Sequence, residues 1–454
     1  MRKFDSLFIG LLLFSMFFGA GNLIFPPFLG AQSGTTFWLA IAGFIFTAVG
    51  LPLVVLFAIA RVKGGIQAIG NRVHPVFSTA FMVIVYLSIG PFLAIPRNAN
   101  VAFEMGVMPL PFIEGTNTTV ILLLFSVVFF LLVYLISLNP TNLERYLGRF
   151  ITPILLVAMV ILCVVGFIQL DGKFQTPTGG YEAGAFFKGF IEGYNTMDAL
   201  AALAFGIVIL TAFRERGISD EKQLKSYMLK ASLIAGTLLA AVYVSLGIVG
   251  SKMAIHGSFA DGTQILSTVS FNLFGSSGTL LIGLIFTLAC FTTVVGLTSA
   301  CGQYFSRLIP KANYKTVVFV TTVIGFTLTN MGLSQILKVS VPFLVTAYPL
   351  TIVLIVLTFF HHQFKGAKVV YVSALSFTGV FAVISGLNAF GLDLGPVDAI
   401  RSSLPLADAG LEWFFPALLG TIIGVVIAKF SGQSKVVITE KLDNTANGSI
   451  LSKD

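Results

Sequence analysis

Two short polar clusters rich in glycine interrupt apolar segments that are otherwise long enough to cross a membrane. Phe18-Gly19-Ala20-Gly21-Asn22 lies in the first segment, and Glu192-Gly193-Tyr194-Asn195-Thr196-Met197-Asp198 lies in the sixth. Inside hydrocarbon a helix breaks only where the freed N–H and C=O groups find other partners, such as a bound substrate or ion. The matching positions of the two breaks therefore predict a binding site near the middle of the membrane.

The groups that such breaks expose would suit a zwitterion. A broken helix presents unpaired N–H groups at the start of its second half and unpaired C=O groups at the end of its first half. The N–H groups of Ala20, Gly21 and Asn22 would hold a carboxylate, and the carbonyls near Gly193 and Tyr194 would accept hydrogen bonds from an ammonium. The alternative is a pair of Pro/Gly kinks that bind nothing.

Adjacent hydroxyls in the eighth segment suggest a second ligand. Thr298 and Ser299 follow Gly296-Leu297 in the inner half of that segment. Two hydroxyls together with exposed carbonyls supply the oxygen ligands that hard cations prefer. The alternative is that each hydroxyl bonds back to the carbonyl four residues earlier in its own helix.

Ionisable side chains inside apolar segments are candidates for function because they are costly there. Arg97 follows Gly90-Pro91-Phe92 in the third segment, and it shares a helix face with Glu104. A pair between Arg97 and Glu104, Glu192 or Asp198 would be an extracellular gate or only a structural bond. Glu104 and Glu192 also fit the outer headgroup zone, whereas Asp198 lies deeper and suits a ligand or a proton relay.

Composition places the chain among integral membrane proteins. It has 454 residues, of which 56% are hydrophobic and 10% are charged, whereas about 25% charged is usual in soluble domains. The net charge of +8 comes from cations in short loops, so nucleic-acid binding is not expected. We expect no enzyme, since neither a Ser-His-Asp set nor HExxH is present, and we expect Cys163, Cys290 and Cys301 to be packing residues.

At roughly 20 apolar residues per span, the sequence predicts an all-α protein with twelve transmembrane helices and a single transmembrane domain over 1–430. The predicted spans are 7–30, 37–60, 77–105, 118–139, 150–170, 184–213, 227–251, 278–308, 316–332, 335–361, 368–390 and 411–430. Five spans in each of 7–170 and 184–361 make the second half inverted, and 368–390 and 411–430 are additional. The sequence of residues 251–278 predicts an external loop helix. Residues 431–454 are predicted to form a polar, disordered cytoplasmic tail.

The distribution of cations predicts the orientation. Most of the 27 Lys and Arg fall on one side of the predicted spans. An excess of these residues marks the cytoplasmic side, so we expect both termini there. The start of the chain resembles a signal peptide, but apolar sequence resumes at Leu23, and an uncleaved first span is expected.

Three motifs of the sequence resemble those of a known family. Phe18 to Pro27, Gly90 to Arg97 and Glu192 to Asp198 resemble the corresponding motifs of the BrnQ branched-chain amino acid transporters, the LIVCS family. The similarity covers the chain except its tail. It implies the LeuT-like 5+5 inverted repeat of the amino acid–polyamine–organocation superfamily, with helices 1 and 6 broken, and cation-coupled uptake of leucine, isoleucine and valine.

The resemblance also implies roles for particular residues. The glycine-rich break is similar to the substrate-carboxylate loop of LeuT-like proteins. The Val295 carbonyl and the hydroxyls of Thr298 and Ser299 resemble their helix-8 sodium motif, and Ser15 and Phe18 would add carbonyls. Residues 150–170 lack the lysine that occupies the ion site in some proton-coupled relatives, which favours Na⁺. The arginine of neurotransmitter-type relatives is also missing after the first break, so Arg97 is a possible substitute at the gate.

The resulting expectation is a symporter of branched-chain amino acids and Na⁺ in the plasma membrane of a bacterium. Its only coupling ion would be Na⁺, without another cofactor or an obligate protein partner. The alternatives are a proton-coupled transporter of other neutral amino acids and a channel. We expect the side-chain pocket to draw on Gly90, Pro91 and Phe92, and on the sixth span around Tyr194, Asn195, Thr196 and Met197.

Overall fold

The computed structural model describes residues 5–62, 64–110, 113, 115–218, 220–331, 333–392, 394–407 and 410–431. These residues form helices and turns, and no strand occurs among them. The predicted disordered segment after Ser431 lies outside the described residues. The helices are α1 (Asp5–Phe17), α2 (Ala20–Ser33), α3 (Phe37–Ile45), α4 (Leu51–Arg61), α5 (Gly65–Asn71), α6 (Pro75–Leu87), α7 (Ala94–Gly106), α8 (Thr118–Ser137), α9 (Thr152–Gln169), α10 (Tyr181–Tyr194), α11 (Asp198–Glu215), α12 (Glu221–Met253), α13 (Gly262–Phe274), α14 (Ser276–Leu308), α15 (Tyr314–Thr329), α16 (Leu333–Phe360), α17 (Lys368–Ala389), α18 (Pro396–Ser402) and α19 (Phe414–Phe430).

Eight helical stretches in the described part of the chain are long and apolar enough to cross a membrane. The count becomes nine if α10 and α11, which meet at a bend of 42°, form one span. Three further apolar helices are shorter, at Ser6–Phe17, Tyr314–Thr329 and Phe414–Phe430. A helix lies in each of the twelve predicted segments, and the count of twelve spans stays a prediction.

The helices differ in how much apolar surface they bury. The apolar stretch of α14 is 72% buried, whereas that of α8 is only 22% buried. Exposed apolar side chains such as Leu124, Val128 and Leu131 line α8. Because such a surface is stable only against lipid, α14 is a central helix and α8 a peripheral one.

Small residues allow some helices to pack backbone against backbone. A Cβ atom added to Gly30 of α2 would lie 1.9 Å from the carbonyl oxygen of Gly247 in α12. A Cβ atom on Gly189 of α10 would lie equally close to the carbonyl of Ala40 in α3. Close approach at small residues is the usual packing of membrane helices. Here it holds the second half of the first span against α12 and the first half of the sixth span against α3.

Several segments differ from the simple helices that the sequence predicts. Turns of π-helix occur at 46–50, 88–92 and 144–151. The third span departs from helical geometry at Gly90 (φ −91°, ψ −121°). Helix α2 runs through Pro26 and Pro27, so the interruption of the first span comes from the glycine-containing cluster rather than from these prolines. The predicted loop helix is present as α13, which Asp261 caps.

The described residues divide into two compact units. One comprises the described residues up to Arg61 together with Val83–Leu344, and the other comprises Val62–Met82 with the described residues from Val345 onward. Every residue of the site described below belongs to the first unit. The division of the chain into inverted halves within one transmembrane domain stays a prediction.

Candidate functional site

The first break has a defined hydrogen-bonding pattern. Helix α1 ends at Phe17 and α2 begins at Ala20, with Gly19 between them in an extended conformation. The Gly19 N–H donates to Oδ1 of Asn22 at 3.0 Å, and the Ala20 N–H donates to Oδ1 of Asn98 at 2.9 Å. These are two of the four N–H groups that a helix start leaves without a partner. The sequence predicts that Ala20 donates its N–H to a substrate, but this N–H already donates to the Asn98 side chain.

Gly19 lacks room for a side chain. A Cβ atom at this position would lie 2.7 Å from Oδ1 of Asn98 and 2.9 Å from Oγ1 of Thr293. Thr293 belongs to α14, it is buried, and its hydroxyl makes no hydrogen bond within the described part of the chain. The break in the first span is thus enclosed by polar groups from the third and eighth spans.

The second break separates α10 from α11. Met197 has a left-handed backbone (φ +68°), which is unusual for a residue other than glycine and costs energy. The hydroxyl of Thr196 donates to the Gly193 carbonyl at 2.8 Å, and the Met197 N–H donates to the Tyr194 carbonyl at 2.9 Å. The carbonyls of Gly193 and Tyr194, predicted to face an ammonium, therefore already accept local hydrogen bonds.

A buried polar cluster joins the two breaks. Asp198, at the start of α11, accepts a hydrogen bond from Nδ2 of Asn22 at 2.6 Å and one from the Tyr243 hydroxyl at 3.2 Å. Asp198 is 2% exposed and Tyr243 is fully buried. Because a carboxylate in hydrocarbon is costly unless it is hydrogen-bonded, these donors stabilise Asp198 at the centre of the protein. The second half of each broken span and α12 meet at this carboxylate.

Arg97 brings a positive charge to the same place. Its Nη1 donates to the Asn195 carbonyl at 3.4 Å, and its Nη2 lies 2.9 Å from where a Cβ atom on Gly21 would be. Arg97 and Asp198 line one cavity of about 20 Å³. That volume holds about one water molecule, so the site is contracted in this conformation.

The cavity contains half of the predicted substrate residues. It is lined by Gly19, Ala20, Gly21, Asn22, Thr196 and Met197. Gly90, Pro91, Phe92, Gly193, Tyr194 and Asn195 are not among the lining residues. Phe92 is 47% exposed, and a Cβ atom on Gly90 would face Cys301. The non-helical turn at Gly90 changes the face of the third span, so Ile89, Ala94 and Asn98 line the cavity instead.

The predicted gate residues separate into two groups. Arg97 and Asp198 are at the cavity. Glu192 forms an ion pair with Lys188 at 3.0 Å and accepts a hydrogen bond from Asn195. Glu104 is exposed on α7. Only Asp198, of the three carboxylates considered as partners of Arg97, shares a cavity with it.

The predicted cation ligands lie on α1 and α14, which are in contact at this level. A Cβ atom on Gly296 would lie 2.8 Å from Cγ of Met16. Thr298 Oγ1 and Ser299 Oγ are fully buried; Thr298 Oγ1 makes no hydrogen bond within the described residues, and the interaction of Ser299 Oγ is with the neighbouring Tyr314 side chain alone. The nearby hydroxyl of Tyr314 donates instead to the carbonyl of Ser137. Buried hydroxyls with few partners are uncommon, and a cation that binds oxygen would be coordinated by both.

The carbonyls predicted to complete this set are partly engaged. The Ser15 carbonyl accepts a hydrogen bond from the Thr292 hydroxyl at 2.8 Å, and the Val295 carbonyl accepts a long one of 3.5 Å from Ser137. Phe18 follows the last residue of α1, where helix carbonyls lack intrahelical donors. These carbonyl and hydroxyl oxygens are therefore suitable ligands for a hard cation, and the two hydroxyls have the fewest hydrogen bonds among them.

Some residues of the site have no signal in the sequence. Tyr243 stands among apolar residues of α12, whereas Asn98 and Thr293 have polar neighbours in Arg97-Asn98-Ala99-Asn100 and Thr292-Thr293, and none of these segments shows which polar side chain faces the breaks. They become part of the site only because α12, α7 and α14 pack around the two breaks. A lone polar residue in a span is as readily a packing residue as a ligand, and spacing along the chain does not distinguish the two.

The fold resembles that of solved transporters. Mhp1, a transporter of the nucleobase-cation-symport-1 family, superimposes with a TM-score of 0.62 at 13% identity, covering 94% of this chain and 93% of the other. MhsT in complex with L-phenylalanine superimposes with a TM-score of 0.53 at 17% identity, covering 94% and 98%. At such identities the likeness concerns the fold alone. The chain therefore has an all-helical, LeuT-like fold.

Sequence comparison identifies the family. Residues 2–431 match the family model described as branched-chain amino acid transport protein. The branched-chain amino acid permease BrnQ of Bacillus subtilis is 45% identical over 93% of this chain and 96% of its own length. The branched-chain amino acid transport system 2 carrier protein of Pseudomonas aeruginosa is 42% identical over 96% and 99%. The chain belongs to the family of branched-chain amino acid transport proteins, as the motifs predict, and it is a transport protein rather than an enzyme.

Proposed function

We propose that this protein takes up leucine, isoleucine and valine together with Na⁺ by alternating access, in the plasma membrane of a bacterium with both termini in the cytoplasm. The observation that carries this proposal is the buried cavity where the two broken spans meet. Its lining includes one cation, Arg97, and one anion, Asp198. A free amino acid has one charge of each sign, and membership of the family favours one with a branched apolar side chain.

The charged groups suggest how the substrate backbone is held. The substrate carboxylate binds the Arg97 guanidinium and the N–H groups of Gly21 and Asn22, since asparagine side chains already occupy those of Gly19 and Ala20. The substrate ammonium donates to Asp198, whose present donors are neutral groups. Hydrogen bonds to a charged group are roughly twice as strong as those between neutral groups, which favours binding of the zwitterion.

Apolar residues at the same cavity would select the side chain. Ile89, Ala94, Ala201 and Leu297 line it. An apolar pocket distinguishes one methylene by about 1–3 kcal/mol, so the three branched-chain amino acids should compete. Lysine should bind poorly because its side-chain charge would lack a partner. The contracted cavity requires these residues to separate when substrate enters, as alternating access demands.

Coupling to Na⁺ is proposed from the hydroxyls of Thr298 and Ser299. A cation at these oxygens would stabilise the end of α1 against α14, and thereby the first break. The rival is coupling to H⁺, which the buried carboxylate of Asp198 favours, since it could carry the proton. The two ions would act at different residues, so they can be separated experimentally.

Uptake by the purified protein in proteoliposomes tests the proposal. We expect an inward Na⁺ gradient at equal pH to drive accumulation of leucine, and we expect valine to compete. Uptake that is driven by a pH gradient and does not depend on Na⁺ would show that the coupling ion is H⁺ rather than Na⁺. Substrate counterflow is expected of a carrier, and its absence alongside conductance would favour the channel alternative.

A further inference from the structure

A second cavity lies apart from the substrate site, around the connection between α8 and α9. It has a volume of about 660 Å³, and none of its lining residues belongs to the cavity at the breaks. Its wall includes a turn of π-helix at 144–151, a geometry that often occurs at functional sites. The residues that matter for its chemistry are Glu144, Arg145, Tyr146, Arg149, Phe150 and Arg216.

The charges of this cavity do not cancel. Glu144 is 6% exposed, and its two oxygens bind different arginines: Oε1 accepts from Nε of Arg149 at 3.0 Å, and Oε2 accepts from Arg216. Arg145 is exposed and makes no ion pair among the residues that the structure describes. Among the lining residues one carboxylate thus faces three guanidinium groups, and this excess of positive groups would attract an anion. Guanidinium groups suit phosphate because they can donate two parallel hydrogen bonds.

The position of the cavity indicates the source of such an anion. Along α9, Ile154, Val157 and Ile161 are exposed and apolar, and α8 has a similar face. The cavity lies between the end of α8 at Ser137 and the start of α9 at Thr152, where we infer that the lipid-facing surfaces give way to the headgroup region. Phe150 and Tyr146 are 68% and 42% exposed beside the arginines, and tyrosine is enriched at the membrane–water interface.

We propose that this cavity binds the phosphate of an anionic phospholipid, with Arg145 and Arg149 as its ligands and Phe150 against the acyl chain. The site is connected to both broken spans. The Arg149 guanidinium stacks 4.5 Å from the Phe8 ring of α1, and Glu144 binds Arg216, which directly follows α11. A lipid phosphate would compete with Glu144 for these arginines, and so would loosen the contacts of the 144–151 segment with α1 and with the end of α11.

The test compares lipid retention by the full chain in detergent, measured by native mass spectrometry. The probe is an equal mixture of phosphatidylglycerol and phosphatidylcholine. Wild type should retain phosphatidylglycerol preferentially, and Arg145→Gln should lower that retention about fivefold, the effect of one interfacial cation. The matched control is Arg307→Gln, an exposed arginine at the end of α14 outside the cavity, which should leave retention unchanged.

Three results would overturn the proposal. Equal retention by wild type and Arg145→Gln would remove the ligand role of Arg145. An equal loss in Arg307→Gln would show that general surface charge, rather than this cavity, attracts the lipid. Displacement of phosphatidylglycerol by inorganic phosphate at comparable concentration would assign the site to a free phosphate instead.

Discussion

Replacing Asp198 by asparagine should separate the charge of this residue from its structural role. The new amide has the same shape, and its carbonyl oxygen can accept the hydrogen bonds that Asn22 and Tyr243 now donate at 2.6 and 3.2 Å. The contacts that hold α2, α11 and α12 together are therefore retained. The negative charge beside Arg97 is lost, and with it the proposed partner of the substrate ammonium.

The size of the effect follows from one charged contact. A hydrogen bond to an ionised group contributes about 1.5–3 kcal/mol. At about 1.4 kcal/mol for each factor of ten, leucine affinity should fall roughly 10- to 150-fold. The retained hydrogen bonds become neutral ones, so the unfolding temperature should fall only slightly. Tyr243→Phe should weaken binding less, because it removes a donor to Asp198 and leaves the charge in place.

Equilibrium binding of labelled leucine to purified protein measures this loss, with thermal unfolding recorded on the same samples. Glu104→Gln is the matched control, since it removes an exposed carboxylate from the helix that carries Arg97, away from the cavity. Binding by Asp198→Asn within about twofold of wild type would refute the reasoning. So would an equal loss in Glu104→Gln, because the effect would then not depend on the cavity.

Three further predictions concern other parts of the chain. Thr298→Ala and Ser299→Ala should each weaken Na⁺ binding by about 1–3 kcal/mol. The Na⁺ concentration for half-maximal uptake should therefore rise, while leucine affinity at saturating Na⁺ stays unchanged. Gly21→Val should abolish leucine binding, because its Cβ would displace the Arg97 guanidinium 2.9 Å away, whereas Gly184→Val meets no atom within 4 Å and should bind normally. Burial lowers the pKa of His361 from its ordinary 6.5 to about 4. As the pH is lowered, this imidazole therefore becomes protonated in the unfolded chain before it does so in the folded protein. Thermal stability should decrease as the pH is lowered from about 6.5 to 4, and it should decrease less in His361→Gln.

The breaks themselves could be predicted from the sequence for a physical reason. Glycine, asparagine and carboxylates are all unfavourable inside an apolar helix, so their concentration at 18–22 and 192–198 indicates a local departure from helix. The structure has its interruptions at Phe18-Gly19 and at 195–197. The capped helix at Gly262–Phe274 was predictable in the same way, because Asp261 directly precedes an apolar run.

The partners of the breaks could not be predicted, because they depend on tertiary packing. Asn98 is 78 residues from the N–H group that it accepts from, and Tyr243 is 45 residues from Asp198. Nothing in the local sequence of α7 or α12 specifies that these side chains face the breaks. The same limit applies to the predicted side-chain pocket, since the irregular turn at Gly90 lies in the third span, where Ile89, Ala94 and Asn98 line the cavity.

The two asparagines also divide the first break into a structural part and a binding part. Asn22 and Asn98 satisfy the N–H groups of Gly19 and Ala20 from within the protein, so this end of α2 is stable without a ligand. The next two N–H groups, of Gly21 and Asn22, lie beside Arg97 and have no intrahelical acceptor. Asn22 belongs to both parts, since its Oδ1 holds the break and its Nδ2 holds Asp198. A substrate that draws Asp198 toward its ammonium would therefore pull on the same side chain that fixes Gly19, which links occupancy of the cavity to the geometry of the first span.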